Sequence, residues 1–303
     1  MRRATNATTA GRRYLDLQRE ARRAGRPTDE LIQLYALECF LDRLTSSPLA
    51  EKFVLKGGVL LAALEARRPT RDIDFAAQAL NNSADEIREA ICEIAQFPSD
   101  DGIEFDSAGA SAEVIREEDD YSGVRVTLSG ALSRAAIRLH VDVNVGDPIW
   151  PEPRLVTFPR ILGGTLVIRG YPLEMVLAEK IVTAIARGSA NTRWRDFVDI
   201  VALVRRHPIA ATTLQSSMDR VAQYRGVEMN ALETALAGYA ELAQQRWLAW
   251  LKKNRLEITA LTDFSAALQL ICEFSDPVIS GSATGKTWDP VRRSWVDRSN
   301  IGT

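Results

Sequence analysis

Apolar residues recur at helical spacing at the start of the chain, alternate with polar ones through the middle, and return to helical spacing toward the end. Tyr14, Leu15 and Leu17 predict an amphipathic helix that Gly25 and Pro27 end. Thr28 is placed as N-cap of a second helix carrying Leu31, Leu34, Tyr35, Cys39, Phe40 and Leu41. A short apolar run from Phe53 breaks at Gly57-Gly58, and Val59 to Glu65 reads as helix. Ile73 and Phe75 alternate with Asp72 and Asp74 as a strand does. Ser83 to Ala95 is predicted helical through Ile87, Ile91 and Ile94. The period then becomes two, predicting strands Ile103 to Phe105, Glu113 to Arg116, Gly123 to Leu128 and Ala136 to Val145. Two further short strands are expected at Leu155 to Phe158 and Thr165 to Ile168.

Pro172 at a first helical position and Glu174 in the first turn mark a helix running to Arg187, and another begins at Arg193. From Ala202 to Glu273 helical spacing continues, for example at Leu232, Leu236, Tyr239, Leu242 and Trp247. The pattern predicts an α+β protein with a mixed sheet. N-terminal helices and the sheet occupy residues 1–170, and a mainly helical domain occupies 171–303.

With 303 residues, 46% of them hydrophobic, the chain can bury cores for two domains. A formal net charge of −2 excludes a global attraction to nucleic acid, so any RNA contact must use local basic patches. Arg12, Arg13, Arg19, Arg22 and Arg23 make one such patch, read either as a solvated helix face or as RNA backbone contact. Cys39, Cys92 and Cys272 lie far apart, and with His140 and His207 they complete no zinc spacing, which fits reduced packing residues. No run approaches ~20 apolar residues and the start lacks a signal-like apolar stretch, so a cytoplasmic protein without membrane contact is expected.

The candidate chemistry gathers at Phe53 to Ala76. Asp72 and Asp74 share a strand face with Cα atoms roughly 6.6 Å apart, close enough for both side chains to converge on one divalent ion or a metal pair, the plainer alternative being an acidic surface strand beside a tight glycine turn. Gly57 and Gly58, lacking Cβ atoms, let backbone N–H groups approach a polyphosphate. On the strand Ala136 to Val145, Asp142 shares the polar face with Arg138, His140 and Asn144, either as a third acid or as part of an ordinary half-exposed strand. Lys180 falls within the apolar stripe of Leu173, Val176, Leu177 and Ala184, so it needs an anion, whether a nearby Asp or a nucleotide phosphate. Lys180→Met, by removing a buried charge, is expected to keep or raise stability. Trp247 and Trp250 beside Lys252, Lys253 and Arg255 read as core or as a base-stacking edge. Gly281 to Thr287 fails as a phosphate loop, because its glycine spacing is short and neither strand nor helix flanks it properly.

Lys56-Gly57-Gly58 followed by Arg67-Arg68-Pro69-Thr70-Arg71-Asp72-Ile73-Asp74-Phe75 resembles the AbiEii-type nucleotidyltransferase toxins, including the MenT group. The segments from Thr28 to Gly58, from Glu179 to Ile200 and around Asp276-Pro277 and Trp288 to Trp295 extend the resemblance over most of the chain. It implies a polymerase-β-like core, and an enzyme that moves a nucleotide from an NTP to an acceptor hydroxyl with Mg²⁺. Some members of the family place the nucleotide on the tRNA 3′ end, as the toxin of a pair with an antitoxin protein. It implies Mg²⁺ on Asp72 and Asp74, and catalytic roles for these two with Asp142, Lys180 and Asp196, Asp199 being a weaker match. Nucleotide contact falls to Lys56, Gly57, Gly58, Thr70, Arg71 and Lys180. Gly146-Asp147-Pro148, a family feature after the strand that carries Asp142, is expected as a turn. A small-molecule or protein acceptor, and a non-catalytic nucleotide- or antitoxin-binding module, are the rival readings.

Overall fold

The structure, a computed structural model, describes residues 5–64, 72–116, 122–297 and 299. The chain divides into two compact units, one of residues 1–147 with 153–171 and one of 148–152 with 172–303.

The first unit opens with two helices, α1 (Thr9–Ala24) and α2 (Thr28–Ser46). Thr8 caps α1 through its side chain, and Gly25 ends it in the left-handed conformation that glycine tolerates. Pro27, extended, takes the cap position of α2, so Thr28 is its first helical residue rather than its cap. There follow β1 (Phe53–Lys56), α3 (Gly57–Ala63), β2 (Asp72–Ala77), α4 (Ala84–Gln96), β3 (Ile103–Arg116), β4 (Ser122–Leu132), β5 (Ala135–Val145), β6 (Arg154–Pro159) and β7 (Thr165–Gly170). The two strands expected between Ile103 and Arg116 are one. The register of β3 on β4 shifts between Asp106 and Ser111, where the Asp106 carboxylate accepts a hydrogen bond from the Gly109 N–H. The small residues there carry no alternation, and pairing with β4 supplies the continuity that local sequence does not.

The seven strands form one mixed sheet in the order β3-β4-β5-β2-β1-β7-β6. β2 runs parallel to β5 and antiparallel to β1. Because side chains alternate, the register assigns each residue to a face. Leu55, Ile73, Phe75, Val124, Val126, Val141 and Val143 share the apolar face, each at most 1% exposed. Toward β3 to β5, α1 and α2 add Leu17, Leu31, Ile32, Tyr35 and Cys39 to a core with Ile103, Leu132 and Ile137. The opposite face carries the polar residues of β1, β2, β4 and β5.

The second unit holds α5 (Leu173–Arg187), α6 (Trp194–Val204), β8 (Ile209–Ala210), α7 (Ala211–Arg225), α8 (Leu232–Ala235), α9 (Tyr239–Asn254), α10 (Phe264–Ile279), β9 (Lys286–Asp289) and β10 (Ser294–Asp297). Pro172 is the extended cap of α5, not its first residue. Trp194, Phe197, Tyr239, Trp247 and Phe264 pack ring to ring, with Trp247 and Phe264 centroids 4.9 Å apart. Trp247 is therefore core, and Trp250 stacks on it. Leu242, one of the apolar residues at helical spacing, is exposed. β8, β9 and β10 form a small antiparallel sheet that the helical reading missed, since strands of two to four residues carry too little pattern to detect. Residue 286 begins a strand rather than a helix, in keeping with the rejected phosphate loop. Among the described residues no helix is long and apolar enough to cross a membrane.

Candidate active site

Strand pairing lines up a row of charges across the polar face. Lys56 on β1 is the register partner of Asp74 on β2, Asp74 of Asp142 on β5, Asp142 of Arg125 on β4, and Arg125 of Glu113 on β3. Asp72, two residues before Asp74 and on the same face, is the partner of His140. Thus Asp72, Asp74 and Asp142 sit on adjacent positions of two neighbouring strands; alternation predicts the shared face of Asp72 and Asp74, and register adds Asp142. Like charges directly opposite repel, so such a row needs cations.

Two cations of this unit meet those acids differently. Arg125 lies a third exposed and forks onto Asp142, with Nε and an Nη nitrogen donating to its two carboxylate oxygens at 2.7 Å each. Its guanidinium is held more firmly protonated than usual, first by the hydrogen bonds to Asp142 and further by the fields of Asp72 and Glu113. Lys56 instead donates to the Asp147 carboxylate at 2.8 Å, in a pair whose side chains are 12% and 8% exposed, and its ammonium lies over the Tyr171 ring. Asp147, expected only in a turn, is therefore the carboxylate partner of Lys56. Thr127 and His140 Nδ1 share a hydrogen bond of 3.0 Å beside this row.

The glycine turn and the acid strand form one unit of structure. Gly57 has φ +66°, and a Cβ there would lie 1.9 Å from an Asp74 carboxylate oxygen. The Gly58 N–H points at the same oxygen, at 3.4 Å. Gly57 is thus required twice, for its backbone conformation and for the close approach of Asp74. Thr70 and Arg71 lie outside the described residues.

Hard carboxylate oxygens are what Mg²⁺ takes, and it usually binds one or two protein carboxylates and keeps water and phosphate oxygens for the rest. Asp72 and Asp74 fit that pattern by donor type and shared face. Among the described residues no cluster of three His, Cys, Asp or Glu side chains forms a ready metal cage.

Lys180, Asp196 and Asp199 lie in the second unit and meet there. Lys180 Nζ donates to Asp196 at 2.5 Å and to Asp199 at 2.9 Å, and Arg193 Nε donates to Asp196 at 2.7 Å. The lysine is 14% exposed, and the two acids 9% and 3%. Asp196 and Asp199 were expected as neighbours on a helix surface, but their side of α6 faces inward. Burial disfavours every one of these charges; the carboxylates nonetheless hold Lys180 above the ordinary ammonium value. Burial pushes Asp196 up and Lys180 and Arg193 pull it further down, to about 2. The partner demanded by a lysine in an apolar stripe is this pair of carboxylates.

Sequence reasoning passed over Arg125, Asp147 and Arg193. The first was visible as the polar alternate between Val124 and Val126, the second within Gly146-Asp147-Pro148, and the third three residues before Asp196.

A family model described as "Nucleotidyl transferase AbiEii toxin, Type IV TA system" matches residues 39–270. The segments before residue 39 and after residue 270 that resemble the family lie outside that match. Two solved structures are similar. JHP933 from Helicobacter pylori has a TM-score of 0.47 and 15% identity, covering 84% of this chain and 94% of that one. A second, "putative nucleotidyltransferase from H. pylori", has a TM-score of 0.46 and 15% identity, covering 83% and 96%. No curated protein matches the chain.

Proposed function

The chain belongs to the AbiEii family of nucleotidyltransferase toxins of type IV toxin–antitoxin systems, and from that premise we propose that its first unit is a polymerase-β-like core transferring NMP from an NTP to the 3′ end of tRNA. A nucleotide substrate and an antitoxin partner follow from the family. The observation that carries the transfer site is the register that puts Asp74 opposite Asp142, with Asp72 beside them and the Gly57-Gly58 turn against Asp74. We place the protein in the cytoplasm, where tRNA and NTPs are.

In this reading Asp72 and Asp74 hold Mg²⁺, whose contribution is to neutralise charge on the phosphates as the bond to pyrophosphate breaks. Gly57 and Gly58 give the triphosphate a surface without side chains. The acceptor hydroxyl attacks the α-phosphorus, the bond to pyrophosphate breaks, and the hydroxyl proton passes to Asp142. A carboxylate has about four lone-pair sites, so the two taken by Arg125 leave others for that proton. Lys56, paired with Asp147, supports β1 and the turn, and its contact with nucleotide is assigned on the resemblance alone. Thr70 and Arg71 are assigned nucleotide contact on the resemblance alone. The resemblance also gives Lys180 and Asp196 a part in the reaction; their contacts with each other support a role in fixing α5 against α6.

The test is transfer of label from each of the four NTPs, with Mg²⁺, to total tRNA, to a protein mixture or to a small-molecule pool. Label on the tRNA 3′ end, lost on chelation, is the expected result. Label only on protein or small molecules replaces the acceptor, and no label with tight NTP binding replaces the enzyme by a binding module.

A further inference from the structure

The polar face does not end at the acid row. Along β5 the residues on that face run Asp142, His140 and Arg138, and their register partners on β4 are Arg125, Thr127 and Ser129. Exposure grows in that direction: Asp142 is buried, Thr127 and His140 are half-buried, and Ser129 and Arg138 are exposed. The chemistry changes with it, from charged groups at the acid row to a strip of neutral hydrogen-bonding groups, and then to a cation.

The middle of the strip is held in place. Thr127 Oγ1 and His140 Nδ1 lie 3.0 Å apart, so the imidazole is oriented through that nitrogen and its Nε2 has no hydrogen-bond partner among the described residues. At the far end, Gln33 of α2 donates to the Arg138 main-chain oxygen at 2.7 Å and anchors the strand. No carboxylate among the described residues pairs with the Arg138 guanidinium. Asp106, the acid in the same row, lies one strand further on across Ser129 and accepts the Gly109 N–H. Of the two arginines on β4 and β5, Arg125 is thus committed to Asp142, and Arg138 presents its fork of donors to solvent.

We infer that this strip carries the acceptor: a polynucleotide end whose terminal hydroxyl meets Asp142 runs along Thr127 and His140, and Arg138 holds one of its backbone phosphates. Neutral hydroxyl and imidazole groups suit ribose hydroxyls and base edges, and a guanidinium without a carboxylate partner suits a phosphodiester. Arg138 lies four residues from Asp142 on one strand, a span of roughly 13 Å at ~3.3 Å per residue. At ~3.4 Å per stacked nucleotide, that is about four nucleotides or fewer. The inference rests on the proposed reading in which Asp142 takes the proton of a tRNA hydroxyl. It adds where the acceptor lies and which residue tells a polynucleotide from a small hydroxyl compound, since a small acceptor seated at Asp142 ends short of Arg138.

The test is steady-state transfer of label from NTP to total tRNA over a range of salt, by the unaltered full chain, by Arg138→Gln and by Arg138→Lys. Arg138→Gln should raise KM for tRNA on the order of tenfold, with kcat and KM for NTP little changed. The slope of log KM for tRNA against log salt should flatten by about 0.7, the share of one phosphate contact on a single strand. Arg138→Lys keeps the charge and loses the fork, so it should restore the slope and only part of the affinity. All three proteins should melt alike, because the altered side chain is exposed and pairs with no described acid. An unchanged KM for tRNA and an unchanged slope in Arg138→Gln overturn the inference, and so does a rise confined to KM for NTP. An unaltered protein that labels only protein or small molecules overturns instead the acceptor reading on which the inference rests, so the two failures are distinguishable.

Discussion

Each unit brings carboxylates together around a cation, and the two do so in opposite ways. In the second unit Lys180 closes Asp196 and Asp199 into a knot whose side chains are all at most 14% exposed, with Arg193 on its rim. In the first, Asp72, Asp74 and Asp142 line one face of a sheet, and the cation on Asp142 is a third exposed. Counting only side chains in these contacts, the knot sets two cations against two acids. In the row Arg125 forks onto Asp142, and beside it Lys56 pairs with Asp147. Buried, paired charge serves to hold elements together, whereas a partly open row of acids on a sheet face is disposed to take up a hard cation. Family resemblance alone does not distinguish the two clusters; their surroundings do.

The largest effect should come from breaking the knot. Removing one partner of a buried ion pair typically costs about 3–5 kcal/mol, because the remaining charge is left uncompensated. Lys180→Met should therefore destabilise the protein by that order in urea unfolding. This reverses the sequence-based expectation that methionine would keep or raise stability, since that expectation counted only the charge removed and not the effect on Asp196 and Asp199. Restoring balance with Lys180→Met, Asp196→Asn and Asp199→Asn together should recover much of the loss.

Acid should open the knot next. Asp196 has a folded value of about 2 against an ordinary 3.8, so its contribution is fully present above about pH 4 and is lost as pH falls toward 2. The difference amounts to roughly 2 kcal/mol. Lys180 works with the opposite sign: its raised value makes its contribution complete below the ordinary ammonium value and lost as pH rises past it. Unfolding monitored by fluorescence between pH 2 and pH 5 should show the acid loss in the unaltered protein and little of it in Asp196→Asn.

A smaller cost in stability, with a large one in activity, is expected at Gly57. Alanine at φ +66° costs about 1–2 kcal/mol, and its Cβ would displace the Asp74 carboxylate. Gly57→Ala should therefore remain folded by circular dichroism while transfer falls at least as far as in Gly58→Ala, where φ is not in the left-handed region. Activity kept in Gly57→Ala would mean that Asp74 can do its work from a shifted position.

The smallest effect concerns the arginines of α1. Arg19 and Arg23 are paired at helical spacing with Asp16 and Glu20, so part of the basic patch is neutralised by its own neighbours. If α1 supports tRNA, Arg19→Glu with Arg22→Glu should weaken tRNA use and flatten its salt dependence, leaving NTP binding unchanged. An unchanged slope of transfer rate against salt removes α1 from the RNA site.

The sheet and its face assignments were legible because alternation is a local signal: Ile73 and Phe75 against Asp72 and Asp74, and Val141 and Val143 against Asp142, state their sides without any knowledge of partners. Which residues stand opposite one another was not. That Asp74 meets Asp142, and Asp142 meets Arg125, depends on register between strands far apart in sequence, set by packing of the apolar face. Lys180 advertised its need for an anion by breaking an apolar stripe, yet the identity of the anion lay on another helix. The helix-bounding prolines, Pro27 and Pro172, were placed one position off, since the same fixed φ serves a cap and a first turn alike.

The account turns on the open row, not the closed knot, being the place where a nucleotide is transferred. The direct measurement is transfer of label from NTP to tRNA by Asp72→Ala and by Asp74→Ala, with melting of each protein recorded alongside. Both variants should melt close to the unaltered protein, as the carboxylates lie on the polar face and outside the core, and both should have lost transfer. Undiminished transfer in a folded Asp72→Ala or Asp74→Ala protein would contradict the account.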